Sequence, residues 1–407
     1  MEHRLVQAVG KALDWSGPGS MGTAFARGSL DDPGLCARLL TPGRLLDVIM
    51  RRSLEPPQLR IFRDGHELHP DNFLTTGVER RGKAVRMTDM RKLASQLKTG
   101  CTVVLDTLDL LDPTMEIACR ALQWWSGERV QVNIYLTTHN TAGFDLHWDD
   151  HDVLVVQLAG SKTWEVRGTS RPAPLRRDAA QNTEPGTEVL WSGSLHTGQV
   201  MHIPRGFWHR ATRADRGAGF SLHATFGIAQ RTGVDWLNWI ADRAREHELF
   251  RRDLPRAGEP AARERHHREL AATAAQEMAE RSAERFVTEQ RREHPPARHV
   301  VTRELFGPPR EVVCVTAFEP EIRISADRVE VLAGGRRLTA PAAATDALRM
   351  LLSGHPVIID DVTAETRVDA RALARRLIEE ELCAEATPEL CSGYTGLLTA
   401  EMCSPTP

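Results

Sequence analysis

Gly143-Phe144-Asp145-Leu146-His147-Trp148-Asp149-Asp150-His151 and Gly198-Gln199-Val200-Met201-His202-Ile203-Pro204-Arg205-Gly206-Phe207-Trp208-His209 are the two stretches on which the reading of this chain turns. Together they spell His-x-Asp followed by a distant His. Two imidazoles and one carboxylate on one face of a metal leave the opposite face open, which suits Fe(II) when it must bind a co-substrate and O₂ side by side. In a strand, positions i and i+2 share a face, so the spacing predicts His147 and Asp149 reaching one ion together. His209 must then arrive from a strand folded alongside. Alone, His-x-Asp is explained as readily by a polar strand face, and the second stretch is what adds weight. His151, His196 and His202 are set aside as ligands. His151 lies four residues after His147, which formally allows a helical His-x3-His zinc site, but Trp148 stands where that site needs Glu.

Around these stretches the texture is that of short strands. Val130, Val132, Ile134 and Leu136 alternate with Gln131, Asn133 and Tyr135, the period-two pattern of a half-polar strand. Further runs at Val153–Leu158, Thr163–Val166, Val189–Trp191, Val200–Ile203 and Phe220–Ile228 are separated by Gly, Pro and Asp turns. Short strands with frequent turns predict a barrel or sandwich. Before them, residues 1–100 mix short helical patterns, such as Leu45–Arg52 and Arg91–Leu97, with turn clusters at Pro56-Pro57 and Asp64-Gly65. After them, from Gly233, Trp236, Ile240 and Ala244 and then Leu270, Ala274 and Met278 recur at four-residue intervals among Arg and Glu, which predicts amphipathic helices. Residues 233–297 thus read as a helical segment, and Trp236, Trp239 and Phe286 would leave an apolar stripe wet unless a second copy covered it. From Val300 onward, strands at Val312–Ala317 and Val329–Val331 and helices at Thr345–Leu352 and Asp369–Cys383 predict a small mixed domain.

Composition narrows the classes. The 407 residues carry 52 Lys+Arg against 55 Asp+Glu, a net charge of −3, so bulk electrostatics does not hold this chain to nucleic acid. Seven cysteines at wide spacing without a Cys-x-x-Cys pair argue against a disulfide framework or a zinc ribbon and fit a reducing cytoplasm. No secretory h-region and no run of about 18 apolar residues is present, so neither export nor a membrane span is expected.

The stretch Gly198 to His209 fits the Gly-x5-Pro-x-Gly-x2-His pattern of the cupin barrel. With His147 and Asp149 ahead of it, the chain resembles the JmjC-type 2-oxoglutarate oxygenases of the cupin class, and within them the ribosomal oxygenases that hydroxylate protein side chains. The strong likeness spans about Val130 to Ile228. The resemblance implies that Lys162, fifteen positions after His147 and the last Lys of the chain, grips the distal carboxylate of 2-oxoglutarate, and that Asn133 assists it. On the last barrel strand Ser221, His223 and Thr225 share a face, and one or more of them, His223 and Thr225 in particular, is expected to complete the co-substrate contacts.

The implied fold is α+β: a double-stranded β-helix (jelly-roll, cupin/JmjC) core with a helical dimerisation segment and a small winged-helix-like C-terminal domain. The segments are 1–100, a mixed support for the barrel; 101–232, the catalytic barrel; 233–297, the dimerisation helices; and 298–407, the C-terminal domain. The implied activity is hydroxylation of a C–H bond by Fe(II), 2-oxoglutarate and O₂, on a protein or peptide side chain, with Arg or His of a ribosomal protein favoured. The acidic run Glu379 to Glu381 argues against direct nucleic-acid binding, although Arg371, Arg375 and Arg376 precede it. Two other readings stay open: a hydroxylase of natural-product precursor peptides or small molecules, and a non-enzymatic, metal-binding dimeric scaffold or regulator. A lysine demethylase is disfavoured, since nothing resembles a chromatin-reading module.

Overall fold

The computed structural model describes residues 1–78, 80–139, 144–176, 182–212, 219–295, 299–302 and 304–398. The chain divides into two compact units, Met1–Ala229 with Ala386–Pro407, and Gln230–Glu385.

In the first unit the strands are β1 (Ala26–Ser29), β2 (Leu59–Arg63), β3 (His66–Glu67), β4 (Leu74–Val78), β5 (Ala84–Thr88), β6 (Thr102–Leu105), β7 (Arg129–Thr138), β8 (Asp152–Arg167), β9 (Val189–His196), β10 (Gln199–Ile203), β11 (Trp208–Thr212) and β12 (Phe220–Ala229). The β4–β5 hairpin stands apart, and the rest join in the order β1-β10-β8-β12-β7-β6-β2-β3, with β9 and β11 also pairing β8. The long strand β8 explains the shape. Its first half lies between β10 and β12, and beyond Gly160 it lies between β9 and β11. Gly160 has φ of +66°, and a Cβ there would sit 1.9 Å from the Phe220 carbonyl oxygen. Only glycine lets one strand bend there and cross from one sheet to the other. The runs expected as separate strands at Val153–Leu158 and Thr163–Val166 are therefore one strand, and the result is a double-stranded β-helix.

Helices α1 (Arg4–Ala12), α2 (Gly34–Leu39), α3 (Pro42–Arg51), α4 (Met90–Thr99) and α5 (Pro113–Ser126) cover one face of this sheet. The start of α5 follows from local chemistry: the Asp112 carboxylate accepts from the Thr114 and Met115 amides, and Pro113 occupies the first turn. Leu5, Val9, Leu45, Ile49, Met115 and Leu122 pack with Val132, Ile134 and Leu136 of β7 and Leu154, Val156 and Leu158 of β8 in one core. The apolar face of β7 is thus turned toward the helices, and its polar face, Asn133, Tyr135 and Thr137, is turned the other way. Val153 and Val155, on the opposite face of β8, join Trp164, Val166, Leu195, Met201 and Ile203 in a second core.

In the second unit, helices α6 (Gly233–Ala244), α7 (Glu248–Arg251), α8 (Pro260–Glu280) and α9 (Ala283–Glu293) come first. A reciprocal capping box between Thr232 and Asp235 starts α6. Trp239, Ile240 and Phe286 are buried together, flanked by Trp236 and Val287. The aromatic stripe expected to need a second copy is covered by helices of its own chain, because α9 folds back onto α6. The strands β13 (Glu311–Cys314), β14 (Glu321–Ile324), β15 (Arg328–Ala333) and β16 (Arg336–Pro341) follow, then α10 (Thr345–Leu351), β17 (Val357–Ile358), α11 (Ile359–Thr366), α12 (Ala370–Glu379) and β18 (Cys383–Glu385). They form two three-stranded sheets, β17-β13-β18 and β14-β15-β16. The end of α9 is tied to the second of these: the Arg292 carbonyl accepts from the Gly335 amide at 2.7 Å, and its guanidinium pairs with Glu321. A boundary at 298 therefore does not separate compact units.

The segment after Glu385, expected to belong with the C-terminal domain, returns to the first unit instead. Helix α13 (Pro388–Ser392) is held there by the Arg38 guanidinium, which donates to the Ser392 carbonyl at 2.6 Å, and by Arg120, which donates to the Tyr394 hydroxyl at 3.0 Å.

Candidate active site

The segment before β8 runs antiparallel to β11, though not as a strand. His147 forms an isolated bridge with His209, and its neighbours on either side are unpaired loop. The strand expected to carry both His147 and Asp149 is replaced by this single bridge, since the chain must leave the ladder at once to enter β8. The turn between β10 and β11 completes the placement. The Gly206 amide donates to the Asp149 carbonyl at 2.9 Å, and the Arg205 amide to the Asp152 carboxylate at 2.8 Å. Gly206 has φ of +82°, and a Cβ there would lie 2.4 Å from the Pro174 ring. Gly206 of this turn thus ties Asp149 to the segment that leads into His209.

His147, Asp149 and His209 come together: one ligand atom from each lies within 4.8 Å of the others, a spacing that can hold a metal ion. The imidazoles are already oriented for it. Nδ1 of His147 meets the Asp145 carbonyl at 2.7 Å, and Nδ1 of His209 meets the Phe207 carbonyl at 3.1 Å. A carbonyl only accepts, so each Nδ1 carries a proton, and each Nε2 becomes the ligating atom when its ring is neutral. Nε2 of His209 lies 3.4 Å from the Asp149 carboxylate. Burial works to raise the Asp149 carboxyl, but the hydrogen bond to His209 and the charges of His209, His147 and His151 outweigh it and hold it well below the usual carboxylate range. Burial, and then the neighbouring His209, push His147 below the ordinary imidazole value.

A cavity opens beside the triad, and its wall includes Lys162, His223 and Thr225. The Lys162 ammonium is buried and donates to the Thr137 hydroxyl at 2.8 Å. His223 is buried among Tyr135, on which its ring stacks at 4.8 Å, and Trp164. Burial first and Lys162 second push it well below the ordinary imidazole value, so it stands neutral, and its Nδ1 is buried without a hydrogen-bond partner among the described residues. A buried ammonium, a neutral imidazole with an orphaned nitrogen and a hydroxyl in one cavity fit an anionic, oxygen-rich guest.

Asn133 is placed differently from expectation. Its Oδ1 accepts from the Thr107 amide at 3.0 Å and it is not part of the cavity wall, whereas Tyr135, two residues on along the same face of β7, is. Tyr135, Thr102, Phe144 and Trp164 do line the cavity and were not singled out by the sequence reading. Tyr135 carried a signal, as one of only two tyrosines and two residues beyond Asn133 on the polar face of its strand. Thr102 carried none. Arg176, 3.7 Å from the Asp149 carboxylate and 3.5 Å from that of Asp150, was also missed. His202 is structural: it is fully buried, with Nδ1 at 3.1 Å from the Ala24 carbonyl.

Comparison with known proteins agrees with this geometry. Residues 113–232 match the JmjC domain model. Ribosomal oxygenase 1 of Rattus norvegicus is 33% identical over 171 residues, covering 40% of this chain and 28% of the relative. A bifunctional lysine-specific demethylase and histidyl-hydroxylase NO66 of Brugia malayi is 29% identical over 174 residues, covering 40% and 24%. The chain thus spans about a quarter of the length of these curated relatives. The solved structure of YcfD, a ribosomal oxygenase from Escherichia coli, superposes with a TM-score of 0.54 at 16% identity over 95% of this chain and all of that one. Its complex with cobalt and 2-oxoglutarate gives 0.52 at 15% identity, over 90% and 95%.

Proposed function

We propose that this chain, which carries a JmjC domain over residues 113–232, is an Fe(II)- and 2-oxoglutarate-dependent oxygenase that hydroxylates a protein side chain. The observation that carries the reading is the convergence of His147, Asp149 and His209, with Nδ1 of each ring engaged by a backbone carbonyl, beside a cavity whose wall holds a buried ammonium. The donor set, two neutral imidazoles and one carboxylate on a single side, is that of a facial Fe(II) site.

In this reading His147, Asp149 and His209 hold the ion. The backbone carbonyls of Asp145 and Phe207 keep both imidazoles in the ligating tautomer. Lys162 neutralises the distal carboxylate of 2-oxoglutarate, and Thr225 and His223 complete the wall around it. Asn133 contributes from outside the wall, by holding the Thr107 backbone beside β7. Trp164, Phe144 and Val153 exclude water from the reacting end of the cavity. The iron, with 2-oxoglutarate and O₂, supplies the oxidising power for inserting oxygen into a C–H bond, leaving succinate and CO₂. No side chain is needed as a general base.

An Arg or His of a ribosomal protein is the favoured target, supported by the names of the relatives that share this domain. The C-terminal module is read as a winged-helix-like scaffold. Arg371, Arg375 and Arg376 pair with Asp360, Glu304 and Glu380, which supports a protein-facing role over a nucleic-acid one. A homodimer through the helices of residues 233–293 is supported by Val234 and Leu237, both about half exposed on α6. No helix among the described residues is long and apolar enough to cross a membrane, and a cytoplasmic location accords with that.

The test is an anaerobic titration with Fe(II) and 2-oxoglutarate, read by the visible charge-transfer band that chelation produces. The band should appear in the native protein and vanish in His209→Ala, and Asp149→Ala should abolish succinate formation. A protein that never shows the band is no oxygenase of this class.

A further inference from the structure

Thr102 lies on β6, directly opposite Thr137 of β7 in the antiparallel register. Both hydroxyls are buried, their oxygens are 3.1 Å apart, and either could donate on distance alone. The direction is set from the other side. The Lys162 ammonium donates to the Thr137 oxygen at 2.8 Å, and an ammonium has three donors and no lone pair. Thr137 must therefore turn its own proton away from Lys162, and Thr102 is the acceptor within reach. The proton of Thr102 is then excluded from the Thr137 side. Thr102, unlike Thr137, lines the cavity beside the triad.

We propose that Thr102 is a second binding residue for the anionic co-substrate: its hydroxyl, oriented by the chain from Lys162 through Thr137, donates to the same distal carboxylate that Lys162 neutralises. The inference rests on the oxygenase reading above and adds to it a specificity for dicarboxylic over monocarboxylic 2-oxo acids. The physical ground is that a buried carboxylate needs several donors, and a single ammonium leaves lone pairs unsatisfied. A hydroxyl fixed by a relay is presented in one orientation, so little rotor freedom is lost on binding.

The test uses the full chain loaded with Mn(II) under anaerobic conditions, so that binding is read without turnover. Affinities for 2-oxoglutarate and for 2-oxobutyrate, which lacks the distal carboxylate, are measured calorimetrically. In Thr102→Val the affinity for 2-oxoglutarate should fall by about ten-fold or more, a charge-assisted hydrogen bond's worth, while that for 2-oxobutyrate stays as it was. Thr102→Ser, which keeps the hydroxyl, should restore the discrimination. Equal affinity for 2-oxoglutarate in Thr102→Val and the native protein overturns the proposal, and so does a parallel loss for both acids, which marks a purely structural threonine. If the native protein binds neither acid, the oxygenase reading itself fails, and this one with it.

Discussion

His147 and His209 face each other in one antiparallel bridge, each backbone amide donating to the other's carbonyl, at 3.1 Å from His147 and 2.7 Å from His209. Their rings are 4.4 Å apart. Because both backbones are locked to each other, the two imidazoles cannot separate without breaking two hydrogen bonds. The metal site is thereby held by main chain as well as by side chains, which directs attention to the turn that sets the bridge.

Gly206→Ala strikes that turn. The side chain would be forced into a left-handed backbone conformation and against the Pro174 ring, and the amide that holds Asp149 would shift with it. A loss of about 1–3 kcal/mol of stability is expected, together with weaker metal binding. Urea unfolding and Mn(II) titration read the two effects, and a variant unchanged in both would show the turn to be dispensable.

Lys162→Met keeps the length of the side chain and removes its charge. The KM for 2-oxoglutarate should rise by at least about ten-fold, with kcat affected less, because the lost contact holds the co-substrate and not the ion. Succinate formation against 2-oxoglutarate concentration measures both. An unaltered KM would remove Lys162 from the site.

Acid should destabilise the fold through its buried imidazoles. His202 is lowered chiefly by burial, and His223 by burial and Lys162, so both stay neutral in the folded chain where the unfolded chain takes up protons. The unfolded state then binds more protons as pH falls below about 6.5, and stability declines by up to about 1.4 kcal/mol per pH unit for each histidine until the folded chain protonates too. Above that pH neither contributes a slope. Urea unfolding of the metal-free protein between pH 7.5 and 5.5 should show the decline, reduced in His202→Gln, and a flat profile would contradict the burial of these rings.

Phe286→Ala should cost the helical part of the second unit about 3 kcal/mol, since Phe286 is buried against Trp239. The packing is within one chain, so the loss should not depend on protein concentration. A midpoint that moves with dilution would place this side chain at an interface between copies.

Much of the site was legible because its signals are local. His-x-Asp, the Gly-x5-Pro-x-Gly-x2-His turn and Lys162, the last lysine, are set by spacing along the chain, and the alternation from Val130 to Leu136 gave the strand and its two faces. The extent of β8 was less so, since the crossing at Gly160 depends on the Phe220 backbone lying against it. Asn133 shows the limit of reasoning by face. It stands on the polar side as expected, yet its side-chain oxygen is taken by the Thr107 amide, and only a neighbouring loop could decide that.

The sequence by itself determined the chemistry on offer: two histidines and an aspartate with metal-ligand spacing, a buried-strand pattern around them, and amphipathic helices after them. Tertiary structure alone decided who meets whom. It turned the polar face of β7 toward the cavity by covering the apolar face with helices. It brought Thr102 to Lys162 through Thr137, and it folded α9 over the aromatic stripe of α6. Spacing fixes which side chains share a face of one element, whereas the partner that covers that face comes from distant chain and is selected by packing and register.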